Sequence, residues 1–451
     1  MTMSTLLQSQ ALSLMNLAKS YAKEVFISVQ EEREDLTRFG ENEITQNVSK
    51  HTIEVSVTVA RDGRIGQFQS NSLDPEVVRP LLERAVNIIE YAPKDPDYPV
   101  FPQSVVFKDS SFEGLGDAND GDPALRAKKI VSHIRRCESQ KLLTSGILSD
   151  QSAGTYYLHS GGTNAAYSSK RSTFSTTVMD SAGHSGWAMA TEKNLQEINF
   201  EEISSIAIEK SILSRNPKSF DCKEYPVILE PSAVTDLLLF LNYVGFSTQS
   251  YVEDRSPLKR KLGEKVLHSL INIYDDHTHP LHAGMPFDFE GASRERLTLI
   301  EKGVFKTLPL DQKYAKKISN GQSNGHALPY PSSGGPMCLN LQLAPGKDSL
   351  STIVAGADRY LLITHLHYTN LIDPNDITIT GTTRDGVYWV EKGKIVHAVK
   401  NMRFTDSVLR LLNVVEAISS DQVYKSAFFG GGFVVPALKL SGLRFTGKTD
   451  Y

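Results

Sequence analysis

Between Ser232 and Val244 the chain places Val234, Leu237, Leu238, Leu241 and Val244 at helical spacing, and Leu239 and Phe240 widen that stripe until little polar face remains. A helix that is apolar on most sides has to be buried on most sides. Ser232 suits its N-cap and Gly245 its end. Beyond it, Gly and Pro interrupt the chain at short intervals and the apolar runs shrink to strand length, which predicts sheets packed on sheets. This helix therefore predicts a mainly β C-terminal domain assembled around one buried helix.

The first half has a different rhythm. Leu6, Leu7, Leu14, Met15 and Leu17 fit one face of a helix running to about Lys23. Val25, Ile27 and Val29 then share a strand face, while Phe26 makes the opposite face partly apolar. Ile53, Val55, Val57 and Val59 alternate with Glu54, Ser56 and Thr58, and Asp62-Gly63 is a hairpin signal that returns the chain through Ile65 to Gln69. Ser72 and Asp74 precede a helix over 75–91 with Val77, Leu81, Leu82, Ala85 and Ile88 as its apolar positions and Pro80 delaying or kinking it. Helices follow at 124–140 and 203–213, with strands at 143–148, 155–159, 166–178 and 187–190. The fold class is α+β. An N-terminal sheet-plus-helices domain covers 1–217, divisible into 1–95 and 120–217, and the C-terminal domain covers 218–451. Residues 91–123, rich in Pro, Asp, Gly and Ser, form a long connection whose order the sequence leaves open.

Composition narrows the function. A net charge of −4, with Lys259-Arg260-Lys261 as the longest basic run, excludes a broad nucleic-acid surface. Cys137, Cys222 and Cys338 are far apart and form neither a disulfide framework nor a zinc ribbon, so a reducing compartment, the cytoplasm, is expected. Met1 to Ser20 lacks a signal-peptide pattern, and no apolar run approaches the ~20 residues that span a bilayer.

Several motifs carry candidate chemistry. Residues 442–449 match the phosphate-loop pattern GxxxxGK[ST], but that mechanism needs a helix starting at Lys448-Thr449, and too little chain follows; Ala437 to Phe445 reads as a strand instead. His277, His279 and His282 form one histidine cluster, in an apparent loop beside Asp275 and Asp276. His365 and His367 form another, in a better strand, where residues two apart face one side and both rings reach one ion. Loop histidines such as the first cluster read as solvated or hydrogen-bonded, and for His365 and His367 a structural or substrate-lining role suits better than metal ligation, since HxH alone is a weak signal and a catalytic zinc needs a third ligand. Asp288, Glu290 and Asp385 sit beside Gly291 and Gly386 and read as turn residues rather than an acid–base pair. His326 reads as a structural loop histidine.

Taken in order, further blocks carry a resemblance. They are Glu224-Tyr-Pro-Val-Ile-Leu-Glu-Pro231, Leu262-Gly-Glu-Lys-Val266 with Asp275-Asp276, Gly284-Met-Pro-Phe-Asp-Phe-Glu-Gly291 with Leu299-Ile-Glu-Lys-Gly-Val304, Ser323-Asn-Gly-His-Ala327, Asn340-Leu-Gln-Leu, His367-Tyr-Thr-Asn370 with Leu371-Ile-Asp-Pro374, Thr380-Gly-Thr-Thr-Arg-Asp-Gly386 and Lys400-Asn-Met-Arg-Phe404. In the first half, Leu36-Thr-Arg-Phe39 and Gln46-Asn-Val48 add to them. The chain closely resembles the TldD/PmbA family, also described as modulators of DNA gyrase. The resemblance implies a zinc-binding His-Glu-x-x-x-His on the helix after the opening strand of the C-terminal domain, completed by a later cysteine. Here that helix is Ser232 to Val244, and the motif positions are best matched by Leu241, Asn242 and Phe246. Neither His nor Glu occurs anywhere from Pro231 to Val252. The pattern is similar to the TldE/PmbA-type partner subunit. It implies a non-catalytic chain with no cofactor of its own, zinc in a TldD-type partner, a heterodimer (or a homodimer in isolation), and unfolded peptide as substrate. His365, His367, Tyr368 and Asn370 are the expected substrate path. The alternatives are an active metal-dependent hydrolase using His365 and His367, with His282 as a further ligand, and a stand-alone regulatory interaction protein.

Overall fold

Two β-sheets, each paired within its own half of the chain, organise the fold. The structure is a computed structural model and describes residues 3–96, 98, 106–108, 122–318, 321–329, 334–427 and 431–449. The first half comprises α1 (Met3–Lys19), β1 (Glu24–Gly40), β2 (Glu43–Arg61), β3 (Arg64–Ser70), α2 (Pro75–Tyr91), β4 (Val106–Lys108), α3 (Pro123–Glu138), β5 (Leu143–His159), β6 (Asn164–Met179), β7 (Ser185–Glu192) and α4 (Phe200–Leu213). Its sheet runs β3-β2-β1-β5-β6-β4, with β7 also on β6. Apart from the short β4, which pairs β6 in parallel, the strands are antiparallel. Most of the connection expected over 91–123 lies outside the described residues.

Alternation assigns the two faces of this sheet. Val25, Ile27 and Val29 of β1 and Tyr156 and Leu158 of β5 pack under α1 and α2. Phe39 and Leu148, of the same parity, pack under α3. The four helices thus cover one face. Phe26 and Tyr157 point the other way, stack with ring centroids 5.6 Å apart, and meet Phe287 and Phe289 of the second half. The partly apolar second face of β1 is therefore the seat of the C-terminal half.

Local chemistry fixes the turns. Asp62 (φ 56°) and Gly63 (φ 74°) make the expected β2–β3 hairpin, and Glu41 (φ 51°) and Asn42 (φ 67°) make another between β1 and β2. The residue pattern does not mark this second hairpin, although the resemblance likens Leu36–Phe39 and Gln46–Val48 on either side of it to family strands. Residues 43–54 of β2 are exposed or half-buried, so they lack the apolar alternation that marks a strand. Helix α2 also differs from expectation. It buries Val78, Leu82, Ala85 and Ile89, and leaves Val77 (46% exposed) and Ile88 (51%) in solvent. The helix meets the sheet closely: a Cβ on Gly66 of β3 would lie 1.9 Å from the Ala85 carbonyl oxygen. Pro80 faces solvent without delaying the start, which Asp74 caps by accepting the Glu76 N–H.

The second half holds β8 (Glu224–Leu229), α5 (Pro231–Phe240), α6 (Thr248–Val252), β9 (Ile273–Asp275), β10 (Thr278–His279), β11 (His282–Ala283), β12 (Leu297–Glu301), β13 (Val304–Phe305), α7 (Gln312–Ile318), β14 (Asn340–Leu343) and α8 (Leu350–Ala355). It continues through β15 (Tyr360–Asp373), β16 (Thr378–Glu391), β17 (Lys394–Ala398), β18 (Met402–Ser407), α9 (Val408–Leu411), β19 (Val415–Ser426) and β20 (Gly432–Lys448). The large sheet runs β13-β12-β9-β14-β20-β18-β16-β15-β8, and β20 pairs β8 as well, so β8, β15, β16, β18 and β20 close a ring. This connected, curled sheet replaces the expected sheets packed on sheets. Its long last strand bends and serves several neighbours, which short Gly-bounded runs do not reveal. Helix α5 lies against it, with Val234, Leu237, Leu238 and Leu241 in the largest core. Glu230, rather than Ser232, holds the N-cap position, with Pro231 opening the helix. The phosphate-loop match falls within β20, where Arg444 pairs with Glu224 in the ladder. Among the described residues no helix is long and apolar enough to cross a membrane.

Candidate functional site

Helix α5 passes into a π-helical turn, Leu241–Gly245. Leu241 and Phe246 are fully buried, and the Phe246 ring stacks on Phe305 at 6.2 Å. Asn242 is buried between them and donates from Nδ2 to the Cys338 carbonyl at 2.9 Å. The face is therefore packed and hydrogen-bonded, with no imidazole or carboxylate at these positions. One acid on the helix escaped sequence reasoning. Asp236 accepts the Thr369 hydroxyl at 2.5 Å, and burial pushes its carboxyl up to about 6 against the lowering effect of that bond.

Beyond Asn242 lies a buried polar cluster. Asp275 ends β9, Cys338 precedes the adjacent β14, and His326 and Arg294 come from the intervening loops. All four are at most 3% exposed. Asp275 Oδ2 accepts the Asn340 N–H at 2.8 Å, and Oδ1 lies 3.3 Å from His326 Nε2 and 3.8 Å from Arg294 Nη1. Burial alone would raise the Asp275 carboxyl; His326 and Arg294 outweigh it and hold the group below the ordinary carboxylate range. Cys338 goes the other way: burial, then the Asp275 charge, raise its thiol well above the usual value. Next to this cluster Asp288 ties its loop together, accepting the N–H groups of Glu290, Ala292 and Ala327, while Glu290 accepts that of Gln312. Burial, then the neighbouring Asp288 and Asp311, raise Glu290 well above its usual range, which disfavours its charged form. Asp288 and Glu290 do come together, as a loop-organising pair; Asp385 is elsewhere.

Between the two sheets lies a cavity of about 1050 Å³. Glu31, Lys50, Glu54 and Arg171 line it from the first half and Arg294 and Asn340 from the second. Residues this far apart in sequence give no local motif, so the cavity was not legible in the chain.

Comparison with known proteins fixes the relationship. The family model for the PmbA/TldA metallopeptidase C-terminal domain matches residues 222–447. The chain belongs to the PmbA/TldD family. It is 24% identical to the metalloprotease PmbA of Escherichia coli O157:H7, over 96% of this chain and 95% of that protein. A zinc metalloprotease TldD homologue of Saccharolobus solfataricus is 24% identical over 46% of each chain. The crystal structure of TldE from Thermococcus kodakarensis superposes with a TM-score of 0.86 at 21% identity, covering 97% of this chain and 100% of that one. At that identity the likeness establishes the fold.

Within this PmbA/TldD fold the histidines separate. His365 on β15 sits at the seam between the halves. Its Nε2 is 3.5 Å from Asp385 Oδ2, and the Trp187 ring of β7 covers it at 4.7 Å. Ser185 donates to Asp385 Oδ1 at 2.6 Å, linking the two sheets. Burial lowers His365 to about 4 despite Asp385, so it is neutral at physiological pH. His367 lies against Arg384, whose Nη1 is 3.2 Å from both ring nitrogens. Tyr368 is 80% exposed with φ 51°, and Asn370 donates to its carbonyl. None of these four residues lines the cavity between the sheets. His279 and His282 pair across the small β10–β11 hairpin, and His282 stacks on Tyr424 at 4.6 Å.

Proposed function

We propose that this chain is the non-catalytic, TldE/PmbA-like subunit of a TldD/TldE-type zinc metallopeptidase, closing and shaping a chamber in which a TldD-type partner cuts unfolded peptides. The observation that carries this reading is the α5 face. Where the resemblance puts two zinc-binding imidazoles and a general base, the chain has buried Leu241, Phe246 and a hydrogen-bonded Asn242. Leucine and phenylalanine offer no lone pair to zinc, and an amide is no carboxylate base. The family relationship and the zinc metalloprotease name of the Saccharolobus relative support the partnership.

Peptide handling draws support from the first sheet. Residues 43–54 of β2 pair with β1 on one side, while β3 reaches only Val55 onward, so among the described residues their other edge is open. Lys50, Thr52, Ile53 and Glu54 of that edge reach the cavity. An extended chain can add to such an edge through backbone groups, with little dependence on its sequence. The three unbridged cysteines agree with a cytoplasmic setting. A hydrolytic metal on His365 and His367 is less favoured, because the Arg384 guanidinium already lies against the His367 ring. Co-expression with a TldD-type chain tests the proposal. A heterodimer that cleaves unfolded peptide, against little cleavage by the partner alone, supports it; no association and no gain in cleavage point to a stand-alone regulator.

A further inference from the structure

Among the described residues, Asp275, His326 and Cys338 each bring one donor atom within 4.8 Å of the others. Two features of their surroundings need explanation. His326 Nδ1 faces the carbonyl and side-chain oxygens of Asn324, both at 2.8 Å, so that nitrogen carries the proton. In the neutral ring Nε2 is then a bare lone pair, fully buried, without a hydrogen-bond partner and 3.3 Å from a carboxylate oxygen. Two lone pairs held face to face out of water repel unless a proton or a metal ion lies between them. Fixing a ring through its far N–H to a backbone carbonyl is also how proteins orient a ligating histidine. The second feature is Arg294, whose three guanidinium nitrogens have no hydrogen-bond acceptor although the side chain is only 1% exposed.

We propose that Asp275, His326 and Cys338 hold a divalent transition-metal ion, zinc by the character of its carboxylate, imidazole and thiolate donors. The site is independent of the proposed peptidase partnership, although it adjoins the α5 face, where Asn242 donates to the Cys338 carbonyl. Binding displaces the Cys338 thiol proton to solvent, forming a metal–sulfur bond. Two anionic ligands then offset the divalent ion, with the Arg294 guanidinium 3.8 Å from Asp275 Oδ1. The donors are closed to solvent, so the ion is structural. It ties β9, the loop carrying His326 and the approach to β14 into one unit beside the cavity. This departs from the expectation of a metal-free chain.

The test uses the purified full-length chain, stripped by chelator and titrated with cobalt(II). The expected result is about one metal per chain, with a near-ultraviolet cobalt–thiolate charge-transfer band. Cys338→Ser should abolish the band, and a Cys137→Ser/Cys222→Ser double variant should keep it. Asn324→Ala, which retains all three donors, should weaken metal affinity ~10-fold or more. Should Cys338→Ser fail to fold, the wild-type titration with the double variant still decides. The proposal is overturned if the folded wild-type chain shows no cobalt–sulfur band. It is equally overturned if nitrogen NMR finds His326 doubly protonated in metal-free and metal-treated samples alike, which would make the cluster a buried ion pair.

Discussion

Asp236 makes the burial of α5 measurable. Its carboxyl moves from an ordinary 3.8 to about 6 in the fold. Between those values the folded chain holds a proton that the unfolded chain has released. The associated stability is complete below the unfolded value and is lost as pH rises through about 6. A shift of about 2 units at about 1.4 kcal/mol per unit sets a ceiling of about 3 kcal/mol. The side chain keeps some solvent contact, so screening reduces the expected effect to about 1–2 kcal/mol. Asp236→Asn stays neutral at every pH and still accepts the Thr369 hydroxyl. Urea unfolding of both proteins at about pH 4.5 and about pH 7.5 gives the measurement, and subtracting one from the other cancels the remaining titrating groups. The variant should gain about 1–2 kcal/mol relative to wild type on going to the higher pH. Parallel behaviour at both pH values would refute the reasoning, and with it the burial of this helix.

Other consequences are checked by the same unfolding assay or by amide exchange. Phe246→Ala removes a fully buried ring that stacks on Phe305 and should cost about 3–5 kcal/mol. Glu290→Gln keeps the acceptor for the Gln312 N–H and removes a buried acid whose charged form is disfavoured, so it should change stability at pH 7 by less than about 1 kcal/mol, whereas Glu290→Ala strands that N–H and should cost about 1–3 kcal/mol. Gly66→Ala puts a Cβ into the Ala85 carbonyl and should loosen α2, seen as faster amide exchange along that helix.

Much of this architecture is legible in the chain because burial leaves a periodic trace. The α5 stripe announces its own enclosure, and the Val and Ile alternation of β1 and β2 marks the helix-covered face. Where a segment is exposed on both sides, as at 43–54 of β2, the trace vanishes and the strand goes unread. The α2 stripe was read around Leu82 and Ala85 correctly but one position off at its ends, where Val78 and Ile89 are buried in place of Val77 and Ile88, because adjacent apolar residues leave the helical phase undecided. The site is harder still. Asp275, Arg294, His326 and Cys338 converge through the pairing of β9 with β14, and the Ser185–Asp385 bond joins residues from different sheets. His326 read as a plain loop histidine because its neighbours in space are not its neighbours in sequence.

The most direct measurement is hydrolysis of an unfolded peptide by the isolated full-length chain supplied with zinc. If α5 presents only packing groups where a peptidase needs ligands and a base, the peptide stays intact however much metal the chain carries, and cutting begins only when a TldD-type partner is added. Cleavage by the chain alone, retained through purification and lost on chelation, would contradict the account.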